Sequence, residues 1–183
     1  MSSDEPRRGL SVDLKPHAYD PLGQPEFFES VVSRRVIAFI VDFIILAIPV
    51  VFLAMFIFVA GVITLGLGFF LYLLLWPAAV IWALVYYGTT LGGPHSATVG
   101  MRVMDLEMRL WYGAPMYGLL GAVHPVVFWI SVSVLTPLVL LAPFFNHRRR
   151  CLHDFLCGTV VVNNEDRAEA LRPRRPPPAP SPV

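Results

Sequence analysis

The chain has 183 residues, is 56% hydrophobic and only 15% charged, and carries a formal net charge of +1. Soluble domains are typically about 25% charged, so the composition points to a membrane protein. The length suits one small domain. The lack of a sustained basic stripe argues against nucleic acid as a partner.

Residues 1–24 are rich in Pro, Gly and Asp and read as a mobile N-terminal segment. Met1 to Ser33 holds six acids and three bases without an apolar core, unlike a secretory signal, which leaves insertion to the first hydrophobic helix. Pro25-Glu26-Phe27-Phe28-Glu29 has the features of a helix start, with proline in the first turn and acids at the positive dipole end. Phe27, Phe28, Val31 and Val32 then fall on one helical face, as in an interfacial approach to a membrane.

From Val36 to Ala60 the chain is apolar except for Asp42, long enough to span a bilayer. A glycine-rich turn over Gly61–Gly68 leads to a second span, about Phe69 to Tyr87. Trp82, Tyr86 and Tyr87 form an aromatic belt at the end of this span, and Pro77 should kink it. The two spans are expected to form an antiparallel pair.

The pattern then changes. After a Thr/Gly/Pro loop, Met101–Trp111 alternates charged and apolar side chains and predicts a strand, and Gly158–Asn163 is a second β-branched run. An isolated strand is marginal in water, so the two should pair on one side of the membrane. Between them, Met116–Phe145 is apolar over about 45 Å if helical. One crossing would set Arg148, Arg149 and Arg150 opposite Arg34 and Arg35, against the positive-inside rule. Two full crossings need about forty apolar residues. Pro125, Pro137 and the Ser131/Ser133 pair favour a broken, re-entrant helical hairpin. Residues 164–183 end in RPRRPPPAPSPV and predict polyproline II or a disordered tail.

The fold class is therefore an all-α, multi-pass membrane protein. It has an antiparallel helix pair, a third Pro-broken segment (116–145) and a small cytoplasmic β-strand pair, all within residues 25–163.

An acid inside a span is a functional-site hypothesis by default. Arg35 and Asp42 share a helix face but lie about 10 Å apart along the axis. Two readings stand. Asp42 pairs with a cation from another segment and fixes how the cytoplasmic cap docks. Alternatively it is a proton relay in a cavity lined by Ser131, Ser133, Thr136 and His124. Arg148, Arg149, Arg150, His153 and Asp154 form a second charged cluster, suited to an interfacial network. His124 reads as a hydrogen-bonded core histidine or as part of the relay. Cys151 and Cys157, even with His147 and His153, lack the spacing of a zinc site, and no metal or cofactor is expected. No nucleophile has an elbow or oxyanion context, so enzyme chemistry is not expected.

The segments RRVIAFIVD, SATVGMRVMDLE and RRRCLHDFLCGTVVVN, in that order, resemble the RDD family of bacterial membrane proteins, and their wording its alphaproteobacterial branch. The resemblance runs from about Glu26 to Asn163. It maps Arg35 to the family's arginine and Asp42 and Asp154 to its two aspartates. Thr98, Gly100 and Arg102 map to a T-x-G loop, with Met101 where a basic residue often stands. It implies a multi-pass protein of the bacterial inner membrane that is transporter-like, exchanging a monovalent cation for a proton; Arg34 and Arg35 before the first span set the N-terminus in the cytoplasm. The alternative is an accessory, assembly or scaffold subunit, as a homo-oligomer or in a larger complex within the lipid bilayer.

Overall fold

The computed structural model describes residues 18–135 and 137–172. A 3₁₀ turn, Pro25–Phe27, leads into α1, Val31–Ile63, of 33 residues. Its apolar side chains point outward all round, as in a helix without a water-facing side. The turn after it is closed by Gly66, at φ 108°, and by Gly68, where a Cβ would lie 2.6 Å from the backbone of Ala60 and Gly61. A 3₁₀ segment, Leu67–Leu71, precedes α2, Tyr72–Leu91, which continues past the expected end at Tyr87. Tyr72 Oη donates to the Ala54 carbonyl and Tyr86 Oη to Asp42, which sets α1 and α2 antiparallel.

The next segment departs from its prediction. Met101–Val103, expected as strand, belongs to a short helix, α3 (Val99–Val103), because the Thr98 hydroxyl caps it by accepting from the Met101 amide. Strand β1 is only Leu106–Leu110. It pairs antiparallel with β2, Thr159–Asn163, in the register Leu106↔Asn163, Met108↔Val161 and Leu110↔Thr159. The expected strand pair is present and covered on both faces. Leu106, Met108, Leu110 and Val161 join the core with Val31, Ala38, Leu91 and Met101, while Val160 and Val162 pack on Phe27, Phe28 and Ala168.

Ala168 lies on α6, Glu165–Leu171, which corrects the disordered tail over those residues. The Asn164 side chain caps this helix by accepting from the Arg167 amide, and Arg172 reaches Glu26 at 3.0 Å. Residues 173–183 of the expected tail lie outside the described residues. The same holds for residues 1–17 of the expected mobile segment. Residues 18–24 are instead docked: the Ala18 amide donates to the Trp111 carbonyl, and Tyr19 packs edge-on against Phe27.

The third segment is a helix, α4 (Gly118–Leu135), followed by a 3₁₀ stretch, Pro137–Phe144. α4 runs antiparallel to α2, with Gly88 and Gly92 against Gly118 and Leu91 against Gly121. The chain then folds back, because α5 (Leu152–Cys157) places Asp154 beside His124, roughly 17 Å short of the far end of α4. The chain after Leu135 thus returns along α4, and α5 packs on that helix. Pro25–Ile63, Leu67–Leu91 and Gly118–Leu135 are each long and apolar enough to cross a membrane.

Candidate functional site

α1 carries Arg35 and Asp42 on one face, and each binds a different element. Asp42 is 4% exposed although it sits among apolar neighbours. Its Oδ1 accepts from Tyr86 Oη at 2.6 Å and from the Gly100 amide at 2.8 Å, and its Oδ2 accepts from Thr98 Oγ1 at 2.6 Å. α3 is therefore held on α1 through its N-terminal cap. A Cβ on Gly100 would collide with the Ala38 carbonyl and lie 2.9 Å from Asp42 Oδ1, so only glycine allows this approach. The expected cationic partner of Asp42 is corrected: its three donors are neutral, and the guanidinium on the same helix face goes elsewhere.

Arg35 grips Asp154. Nη1 donates to Oδ2 at 2.6 Å and Nη2 to Oδ1 at 2.8 Å, a bidentate pair of the kind an arginine fork favours. Asp154 is fully buried, where an interfacial position was expected. As the third residue of α5 it also accepts from the Cys151 amide at 2.8 Å, which completes a capping box. His124 reaches Oδ1 from α4 at 3.0 Å. A carboxylate can only accept here, so His124 Nε2 carries the hydrogen. Burial alone would raise the Asp154 pKa, but Arg35, with the His124 hydrogen bond, holds it well below the usual carboxylate range.

His153 Nε2 lies 3.0 Å from Arg35 Nη2, which can only donate, so this nitrogen accepts and the proton sits on Nδ1. Burial pushes the His153 pKa down to about 3, making the ring neutral. Its 3.4 Å approach to Asp154 is therefore a contact of a neutral imidazole and not an ion pair. Burial also lifts the Cys151 thiol to about 11, so it stays protonated.

The three basic residues before α5 divide. Arg150 is buried, donating to the Thr159 and Asp154 carbonyls at 2.7 and 3.0 Å and lying 4.2 Å over the Phe155 ring, so it ties α5 to β2. Arg148 makes a 3.5 Å contact with the Tyr19 carbonyl. Arg149 is exposed at φ 52°. Arg102 is also exposed, away from the cluster, whereas Thr98 and Gly100 of the same loop are in it.

Potential metal ligands do converge: His124, His153 and Asp154 offer atoms within 4.8 Å of one another. The donor set does not suit a resident cation. Arg35 already takes the His153 Nε2 lone pair and both Asp154 oxygens, and it supplies the positive charge itself. Cys157 and His147, considered for zinc with Cys151 and His153, are not in that group.

A cavity of about 310 Å³ joins the two halves of the site. Arg35, Asp42, Thr98, His124, Arg149 and His153 border it together with aromatic and aliphatic side chains. Of the relay lining expected from the sequence, only His124 is there. Ser131 is buried but donates to the Val127 carbonyl, Ser133 is exposed, and Thr136 lies outside the described residues. The sequence places Tyr86 in the aromatic belt, yet it is the residue that joins α2 to Asp42. The signal was available in its hydroxyl, which needs a partner when buried.

The RDD family model matches residues 30–158, which include Arg35, Asp42 and Asp154. The chain belongs to the RDD family. In this membrane-type RDD protein Arg35 and Asp154 are in direct contact, and Asp42 is bound separately. No curated protein and no solved structure matches the chain.

Proposed function

We propose that this RDD protein is a non-catalytic, multi-pass subunit of the bacterial inner membrane that assembles with a larger membrane complex. The observation carrying this reading is that the charged and strongly polar groups of the helices gather at one end and are spent on holding the cap. Arg35 and His124 secure α5, and Asp42 secures α3. From Phe43 to Ile63 α1 is apolar throughout, which suits lipid or partner helices better than an ion path. By the positive-inside rule, the end bearing Arg34, Arg35 and Arg148–Arg150 faces the cytoplasm, with the N-terminus and strand pair.

A second reading is proton-coupled exchange of a monovalent cation. Asp42, His124 and His153 bordering one cavity favour it. Two measurements separate them. The subunit reading expects the full-length protein, solubilised gently from native membranes, to migrate with a larger assembly, and reconstituted vesicles to show no cation-driven pH change. Migration as a lone small protein, with a cation-driven pH change abolished by Asp42→Asn, would overturn it in favour of exchange.

A further inference from the structure

α1 packs on α2 and α3, and α4 packs on α2 and α5. Across the cavity α1 and α4 meet at the Phe39–Phe128 ring contact, with centroids 6.0 Å apart. The cavity is the gap beside that contact. Its volume, about 310 Å³, lies at the low end of ligand pockets, roughly 300–1,000 Å³. Val36, Phe39 and Trp129 border it and are also 56, 42 and 57% exposed on the outer surface of the apolar helices, so the gap is continuous with the surface the bilayer covers.

The charges around the gap differ in exposure. Arg35 is matched by Asp154, and Asp42 is buried under three neutral donors. Arg149 borders the same gap, is exposed, and among the described residues forms no salt bridge. Its backbone sits at φ 52°, a conformation costly for a residue with a Cβ. A free cation at the basic end of the bundle, beside an apolar slot open to lipid, complements one kind of molecule.

We infer that the gap between α1 and α4 binds one anionic membrane lipid, its headgroup at Arg149 and an acyl chain beside Phe39 and Trp129. The small volume suits a single chain, not a whole bulky ligand. A soluble anion would use Arg149 but gain nothing from the aromatic walls. The inference rests on the membrane reading and not on the accessory role, so its failure leaves the proposed assembly untouched.

The test is lipid retention by the full-length protein, measured by native mass spectrometry from micelles doped equally with phosphatidylglycerol and phosphatidylcholine. Wild type should retain phosphatidylglycerol about fivefold over phosphatidylcholine, the preference expected from one basic residue near an anionic surface. Arg149→Gln should abolish that preference with an unchanged melting profile, and Arg149→Lys should keep most of it. Val36→Trp, which fills the gap from its outer wall, should lower retention of both lipids. Glycerol phosphate, which lacks a chain, should not displace the bound lipid. Equal retention of the two lipids by wild type, or a preference that survives Arg149→Gln, overturns the headgroup assignment. Retention unchanged by Val36→Trp overturns the cavity, and displacement by glycerol phosphate reduces the site to a simple anion site. Should Arg149→Gln fail to fold, the Val36→Trp and competition results decide.

Discussion

Arg35 and Asp154, 119 positions apart, close on one another through two hydrogen bonds of 2.6 and 2.8 Å, and this pair joins α1 to α5. The carboxylate is fully buried and draws further donors from His124 and the Cys151 amide. The arginine is thus one member of a filled network and not a lone charge near a membrane. Breaking one partner strands the other.

Arg35→Gln or Asp154→Asn should each destabilise the fold by about 3–5 kcal/mol, because an unpaired buried charge remains. The double variant should cost clearly less than the sum of the two, since both remove the same pair. Thermal melting of the purified protein reads this directly. Additive losses would show that the pair contributes little as a pair.

Asp42→Asn should cost about 1–3 kcal/mol, the loss on leaving buried donors unmatched, because an amide nitrogen cannot accept from Thr98 or Tyr86. Tyr86→Phe should cost about 1 kcal/mol by removing one donor. Asp42→Asn and Arg35→Gln should add, as the two side chains share no hydrogen-bond partner and lie about 10 Å apart along α1. Strong coupling in a double-mutant cycle would restore a direct Arg35–Asp42 relationship.

Gly100→Ala should be among the most damaging small changes in the chain. The added methyl meets the Ala38 carbonyl, a rigid backbone atom, and presses on Asp42 Oδ1 at 2.9 Å. α3 must then lift from α1 and release the Asp42 hydrogen bonds. Abundance in membranes and melting temperature should both fall. Gly66→Ala is an informative contrast: it has open space around it, but its φ of 108° brings backbone strain without a clash. Equal tolerance of both would disprove the close approach.

Stability should fall on acidification. His153 has its pKa depressed to about 3, against an ordinary value of 6.5, so the unfolded chain takes up more protons between those values. Its contribution is complete above pH 6.5 and is lost as pH drops toward 3. Asp154, held well below its ordinary 3.8, adds a loss of the same sign at lower pH. His153→Gln should flatten melting temperature against pH between about 6.5 and 4, a window set by these two values. An unaltered slope would remove His153 from the acid response.

Single cysteines at Arg102 and Glu169, both exposed, should label from the same side of the membrane in a Cys157→Ser background. Labelling from opposite sides would contradict the returning hairpin.

Much of this organisation is written in the local sequence. Runs of apolar residues such as Val36–Ala60 cannot be hydrated, so they specify helices suited to lipid wherever they occur. The β-branched run Thr159–Asn163 and alternating Leu106–Leu110 similarly specified a strand pair, because backbone groups outside a helix need partners. Pro125, Pro137 and the arginines that follow favoured a chain that returns, although Pro125 lies within α4 and leaves that helix unbroken. The Arg35–Asp42 face was visible in helical spacing, but spacing assigned no partners. Whether Asp42 meets an arginine, or Tyr86, Thr98 and Gly100, depends on how α2 and α3 dock against α1, contacts between residues 44 to 58 positions apart. The burial of Asp154, the helix over Glu165–Leu171 and the gap beside Arg149 were likewise decided only by packing. Periodicity specifies which face of a helix is apolar; which surface covers that face is a property of the assembled chain.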